Sequence, residues 1–447
     1  VYGGAQDNGV WKSPSQYQMS NSWQLYGKYP HEVILGGDGM QTEVDPNDSK
    51  ILYTGFQFGN YFRIDKNLGT NTRITPKHKL GERPYRWNWQ TPILLSSHNS
   101  DIFYMGSNYL HRSMNQGRKF EIISPDLTKG ITTGDVPFGT LTTISESKLK
   151  FGLLYTGSDD GEVYVSKDGG DNWNKINDGI PQDKYVSKIL ASAHVKQRVY
   201  LCLNNYRKDD FASLLYVSEN YGADWKRIGL NLPTEPLNVI CEDPENPNLL
   251  FVGSDHGVYY SLDRGNNFSL LSDQIPFVPI HDLKVHPKAK ELIIGTHGRS
   301  IYIADISNVQ QLVDSNLQKG IIVFETKDIK YNNEWGKKQN VYSPIDSLLI
   351  PLSVYSKSKG EAELQLYYQN TLLHKNKVKL NIGINPLGIE GNIDAASFAS
   401  FLKEYKKENK EFHFPETDDK KNYLPKATYK IKLSKEGKTE ETNFKIK

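Results

Sequence analysis

A short phrase recurs down the chain, and its spacing restricts the fold more than any other feature. Ser166-Lys-Asp168-Gly-Gly170-Asp-Asn-Trp173 is followed by Ser218-Glu-Asn220-Tyr-Gly222-Ala-Asp-Trp225 and by Ser261-Leu-Asp263-Arg-Gly265-Asn-Asn-Phe268. A worn copy precedes them at Ser113-Met-Asn115-Gln-Gly117-Arg-Lys-Phe120, so successive serines stand 53, 52 and 43 residues apart. A unit of that length is one supersecondary block stacked repeatedly. Within it, Asp or Asn turns its side chain onto nearby backbone N–H groups, and Gly takes the positive-φ position. The serine hydroxyl closes the same network, and the aromatic covers the turn. Each copy follows an alternating run, as in Glu162-Val-Tyr-Val-Ser166, and precedes another, as in Trp173-Asn-Lys-Ile176. Period-two patterning of this kind predicts strand–turn–strand.

The phrase resembles the Asp-box, or BNR, motif of sialidase-like and sortilin-like β-propellers. That resemblance implies a motif at the blade periphery with a structural role for Ser166, Asp168, Gly170 and Trp173. The same holds for Ser218, Asn220, Gly222 and Trp225, and for Ser261, Asp263, Gly265 and Phe268.

Two further phrases set the layout. A turn leads into an apolar strand ending in Gly, as in Asp45-Pro-Asn-Asp48 before Ile51-Leu-Tyr-Thr-Gly55 and Asp243-Pro-Glu-Asn-Pro247 before Leu249-Leu-Phe-Val-Gly253. A Gly-rich hairpin follows, as in Gly157-Ser-Asp-Asp-Gly161 and Gly253-Ser-Asp-His-Gly257, the strongest short-range hairpin signal. The expected fold is all-β: a seven-bladed Asp-box β-propeller over residues 1–306, incomplete at its N-terminus, and then a second domain. The blades fall at about 1–26, 39–75, 89–123, 140–176, 188–228, 237–271 and 281–304. Blade one begins at its second strand, since Val1-Tyr-Gly-Gly matches Leu154-Tyr-Thr-Gly157, and blade seven stops at Ser300-Ile-Tyr-Ile-Ala304 without a box. Because a ring must not leave a long unpaired edge, residues ahead of Val1 or a partner are expected to supply an outer strand for blade seven and an inner strand for blade one.

After a linker at 307–319, residues 320–447 carry strand-like runs such as Gly320-Ile-Ile-Val-Phe324, Glu363-Leu-Gln-Leu-Tyr-Tyr368 and Ala427-Thr-Tyr-Lys-Ile-Lys-Leu433. Their spacing suggests an immunoglobulin-like or fibronectin-like β-sandwich. Asp394 to about Lys406 interrupts it as a helical insertion, with Phe398, Phe401, Leu402 and Tyr405 on one face and Asn392 or Asp394 as cap.

Length and composition agree. The 447 residues exceed one ordinary core, and 36 Gly, 27 Tyr and 7 Trp suit a turn-rich β protein. No apolar run reaches membrane-spanning length. The formal charge of +2 balances 54 basic against 52 acidic residues, which gives no indication of nucleic acid. The two cysteines, Cys202 and Cys241, lie in apolar strand runs and read as small buried thiols, with one disulfide as the alternative.

The combination is similar to large secreted bacterial proteins labelled sortilin-like or "glycosyl hydrolase, BNR repeat". Gly295-Thr-His-Gly298-Arg299-Ser-Ile-Tyr-Ile-Ala-Asp305 resembles their ring-closing phrase. The resemblance implies a secreted or cell-surface location, associated with a bacterial outer membrane or extracellular, with other subunits of a cell-surface complex as candidate partners. Sortilin itself is a peptide receptor with a cysteine-rich module, which two cysteines cannot build.

Propeller loops sort onto two faces. The boxes share one; the hairpins between second and third strands and the blade-to-blade connections share the other. Candidates on that second face are Gln6, Asp7, Asp38, Phe58, Tyr109, Asp160, Tyr206, Asp255, His256, His297 and Arg299, with Arg86, Trp87, Trp89, Asp135, Phe277 and His281 from the connections. Arg86, Trp87, Trp89, Tyr109, His256, His297 and Arg299 are the expected binding residues for a protein, peptide or glycan. Asp38, Asp135, Asp160 and Asp255 are the candidates if the chain is a glycoside hydrolase, which needs two carboxyls flanking a bond. Each aspartate equally suits a turn. Tandem-propeller xyloglucanases are the nearer enzymatic resemblance, but their cleft lies between two propellers. Arg63-Ile-Asp65 lacks the proline of the sialidase Arg-Ile-Pro phrase. With no Cys/His metal spacing, nucleophile elbow or phosphate loop, no metal or cofactor is expected.

Overall fold

The computed structural model of this chain describes residues 1–17, 20–130, 138–272, 274–338, 340 and 342–447. It divides into two compact units, Val1–Ile306 and Ser307–Lys447.

The first unit is a succession of antiparallel sheets in which each strand pairs with the next in sequence. The fourth sheet is typical: Leu141–Glu146, Leu154–Ser158, Val163–Ser166 and Asn174–Lys175, in that order. Four-stranded sheets of the same order span residues 43–73, 93–122, 185–227 and 237–270. Three-stranded sheets stand at either end, Tyr2–Ala5 with Gly9–Lys12 and Glu32–Leu35, and Ile280–His286 with Glu291–Thr296 and Ile301–Asp305. The strands of the fourth sheet bury Tyr155, Val163 and Val165 against Val186, Ile189, Leu201 and Tyr216 of the fifth. Sheets stacked face to face in sequence order have the arrangement of a β-propeller.

Similar hydrogen bonds recur at several joints. Near the axis, Gln41 Nε2 donates to Ile93 O (3.0 Å), Thr142 Oγ1 to Val186 O (2.6 Å) and Ser187 Oγ to Leu237 O (2.7 Å). On the box face, Glu146 accepts from Ser96 Oγ (2.6 Å) and Tyr104 OH (3.0 Å). Glu242 accepts in the same way from Ser192 Oγ (2.9 Å) and Tyr200 OH (3.2 Å).

The repeated turn forms the outer joint. Ser166 Oγ donates to Asp168 Oδ1 (2.9 Å) and accepts from Gly170 N (2.9 Å), while Asp168 Oδ1 also accepts from Asn172 N (2.9 Å). Hydrogen bonds from Asn172, then Ser166, hold the Asp168 carboxyl down at about 2. The network recurs at Ser218/Asn220/Gly222 and Ser261/Asp263/Gly265. Trp173 Nε1 donates to Ile123 O (2.7 Å) and Trp225 Nε1 to Ile176 O (2.8 Å), each on the preceding sheet. The Phe268 ring has no N–H to give; its backbone instead accepts from Asn231 Nδ2 at 2.8 Å and donates to Asn231 Oδ1 at 3.0 Å.

The last sheet packs on the first: a Cβ on Gly3 would overlap Ile301 Cδ1. Lys284, on the innermost strand of the seventh sheet, reaches Glu43 on the innermost strand of the second at 2.8 Å. Among the described residues no strand pairs with the inner edge of Tyr2–Ala5 or the outer edge of Ile301–Asp305. The first sheet takes its third strand from Glu32–Leu35, beyond the expected bound at residue 26. The intervening segment lacks the box that marks this turn elsewhere, so its length was not legible. Cys202 is buried, Cys241 half-buried, and both are free thiols, so the disulfide alternative fails. Burial pushes both thiols up, Cys241 to about 11.

In the second unit, sheets of three and four strands share one apolar core that includes Ile350, Val354, Leu366, Tyr429 and Phe444. Residues 307–319, expected as linker, form the short helices Ser307–Gln310 and Asp314–Leu317, with Val309 and Leu312 buried. The helix Ala395–Tyr405 buries Phe401 and Tyr405 in the core, with Phe398 packed alongside. Asp394 occupies the cap position, but its side chain makes no cap bond and meets His374 Nδ1 at 2.8 Å. The His374 imidazole, on the strand Thr371–Leu380, takes the carboxylate in place of the helix N–H groups.

Removing one joint should loosen two sheets together. Trp225→Phe, which deletes only the bond to Ile176 O, is expected to cost about 1 kcal/mol. Gly222→Ala is expected to cost more, about 2 kcal/mol, because φ is +89° and the new methyl would overlap Ile176. Urea denaturation of the two variants gives the order directly.

Candidate functional site

The face opposite the boxes carries the hairpins between second and third strands and the sheet-to-sheet connections. Its fabric is ionic. Arg86 donates to Asp126 Oδ2 (2.8 Å), Thr128 Oγ1 (2.9 Å) and Gly139 O (2.9 Å), and its backbone N–H to Asn108 Oδ1 (3.0 Å). Lys129 pairs with Asp183 and stands 3.7 Å from Glu162; Lys184 pairs with Asp210 at 2.8 Å. Arg86 thus clamps three loops.

The expected carboxylates serve turns to different degrees. Asp160 is buried, its Oδ1 accepts from Ser158 Oγ (2.5 Å) and its Oδ2 from Lys129 N (2.8 Å), so both oxygens are engaged. Asp38 Oδ1 accepts from Asp7 N (2.7 Å), and Asp255 Oδ1 from Asn238 Nδ2 (2.9 Å). Asp135 lies outside the described residues. Glu235, absent from the sequence-based set, accepts from Ser254 Oγ (2.6 Å) and His256 N (3.2 Å), with the exposed His256 ring 3.5 Å away.

Aromatic rings give the face its apolar ground. Trp87 turns inward, stacked on buried His111 with centroids 5.4 Å apart and packed against the Tyr53–Phe103 core. Trp89, two residues on, points outward at 42% exposure and meets Phe58 edge-on at 5.1 Å. Tyr109 meets Tyr85 at 5.9 Å. Across the ring mouth, His281 and His297 lie 5.4 Å apart, and Phe277 is 75% exposed. Confinement and then the neighbouring His297 hold the His281 pKa down, although its ring is open to solvent at the mouth. Arg299 is exposed, with its backbone N–H donated to Thr296 Oγ1 (3.2 Å). Tyr206 is exposed under the Arg207 guanidinium. Gln6 and Asp7 are exposed at the first hairpin.

Two features escaped the sequence reading. Trp11, Tyr17, Trp23, Tyr29 and His31 form a run of edge-on pairs 5.1–6.3 Å apart around the first sheet's last connection, and Trp23 and Tyr29 are exposed. The density of aromatics among residues 11–31 was the available signal. A cleft of about 310 Å³ opens between the second and third sheets, lined by Arg73, Lys77, Tyr85, His111, Arg118 and Phe120 among others. Its lining is scattered over residues 73–122, so no local pattern announces it.

Known proteins resemble parts of this chain. No family model matches it. A stretch of 107 residues is 29% identical to vacuolar protein sorting/targeting protein 10 of Pyrenophora tritici-repentis, covering 22% of this chain and 7% of that protein. Among solved structures, the GH74 xyloglucanase from Xanthomonas campestris is 17% identical with a TM-score of 0.48, covering 68% of this chain and 49% of its own. YCF48 bound to D1 peptide is 14% identical with a TM-score of 0.39, covering 61% and 82%. The chain therefore matches about half of the xyloglucanase and a small fraction of the sorting protein. Among the described residues, no helix is long and apolar enough to cross a membrane.

Burial lowers the His111 pKa to about 4, so the folded state resists the proton that the unfolded chain takes up near 6.5. This contribution is intact above pH 6.5 and is lost as pH falls toward 4. The expected loss is about 1.4 kcal/mol per pH unit, about 3 kcal/mol in all. His111→Gln should flatten that part of the pH–stability curve measured by urea unfolding.

Proposed function

We propose that this chain is a noncatalytic binding module: a seven-bladed propeller followed by an immunoglobulin-like sandwich, secreted or at a cell surface, that recognises a protein, peptide or glycan through its loop face. The observation that carries this reading is exposed Trp89, backed edge-on by half-buried Phe58, on a face whose charged side chains brace one another. An outward indole beside a rigid ionic frame offers apolar area at little ordering cost, as an anchor for a ligand requires.

The enzymatic alternative asks for two available carboxyls across a cleft. Asp160 is committed to its own turn at both oxygens, which weighs against it as acid or nucleophile. Asp38 and Asp255 keep an oxygen each outside the hydrogen bonds described above, and they are the pair a hydrolase would use.

Two measurements separate the readings. Glycan and peptide arrays probed with the whole chain and with Trp89→Ala should show ligands whose retention falls about ten-fold in the variant, the loss of about 1.4 kcal/mol. Incubation with xyloglucan should release no reducing ends. Turnover that disappears in Asp38→Asn or Asp255→Asn would replace binding by hydrolysis.

A further inference from the structure

The cleft between the second and third sheets is chemically one-sided. Arg73 and Lys77 come from one wall, Arg118 from the other, and among the described residues no acidic side chain lines it. Arg73 is tethered to Asn60 Oδ1 at 2.7 Å, whereas the Lys77 and Arg118 side chains have no hydrogen-bond or ion-pair partner among the described residues. Of the neighbouring acids, Glu121 pairs with Arg112 at 2.7 Å, and Glu82, beside Tyr85, stands 4.0 Å from Lys79. His111 in the floor stays neutral at physiological pH.

The cleft exists because the turn repeat is worn here. At the next two joints, indoles from Trp173 and Trp225 lie across the groove and donate to Ile123 O and Ile176 O. At this joint Gly117 still packs on Ile74, but the aromatic is Phe120, which cannot donate, and Arg118 stands beside it. The wall opposite ends in the strand Thr70–Arg73, which is exposed throughout and paired on its inner side only. Its four residues exceed the two of each outermost strand in the next four sheets.

We propose that this cleft binds an acidic peptide in extended form, its carboxylates on Lys77, Arg118 and Arg73 and its backbone beside the Thr70–Arg73 edge. An unpaired strand edge accepts a peptide by main-chain hydrogen bonding, and the flanking charges select its side chains. A sugar would instead need a free ring face. Tyr85 is surrounded by His78, Trp87, Tyr109 and His111 at 4.8–6.2 Å, and Phe120 is set edge-on to Phe103. Trp89 and Phe58 are not among the lining residues, so the site stands or falls apart from the reading above.

The test is fluorescence anisotropy of a fluorescein-labelled peptide of alternating Glu and Thr, with a Lys–Thr counterpart and an oligogalacturonate competitor. The Glu peptide should bind, the Lys peptide should not, and raising salt should weaken the complex. The double variant Lys77→Glu/Arg118→Glu should raise Kd at least about ten-fold with an unchanged urea midpoint, and Trp89→Ala should leave Kd unaltered. Equal binding of the Lys peptide, an unchanged Kd in the folded double variant, or tighter binding of the oligogalacturonate would overturn the proposal.

Discussion

The joint between successive sheets is the interaction on which the first unit depends. A propeller sheet is apolar on both faces and has no stability of its own; it persists only while its neighbours cover it. The repeated turn supplies part of that cover at the rim. Its serine and aspartate fold the loop tightly enough that Gly170, Gly222 and Gly265 come to rest on Ile123, Ile176 and Ile228 of the sheet before. The indoles of Trp173 and Trp225 then cap the isoleucine carbonyls. Nearer the axis, Glu146 and Glu242 gather hydroxyls from the adjacent sheet, and Thr142 and Ser187 tie one inner strand to the next. Three layers of polar contact therefore register an otherwise nondirectional apolar stack.

That division of labour shapes what is left for binding. Loops on the opposite face must also be fixed, and they are fixed by ion pairs, with Arg86, Lys129 and Lys184 at their centres. Arg86 and Asp160, which resemble members of a binding or catalytic set, are thereby drawn into the architecture. Trp89, Phe277 and Arg299 stay accessible at the loop face, and the rim cleft is cationic. The cleft follows from the same repeat: where Phe120 replaces tryptophan, the groove that an indole would cross stays open.

Much of this was legible in the chain. The turn phrases located the strands on either side of each box, because Ser, Asp and Gly at fixed offsets admit few backbone paths. Trp87 and Trp89, two residues apart, would share one face of an extended strand; the chain turns at Trp89 instead, and only the structure placed Trp87 inward and Trp89 outward. The strand Gly383–Glu390 was missed, as its Gly and Pro disguise the alternation. The third strand of the first sheet was missed because no box precedes it.

The sequence by itself determined the local units: where a turn must form, which strand follows it, and which glycine cannot carry a side chain. These are short-range consequences of backbone sterics and hydrogen-bonding geometry. The tertiary structure alone decided which aspartates were committed to turns, which tryptophan reached solvent, and that Arg73, Lys77 and Arg118 share one cleft. Those outcomes depend on residues brought together across sheet joints, and no spacing along the chain encodes the distance between them.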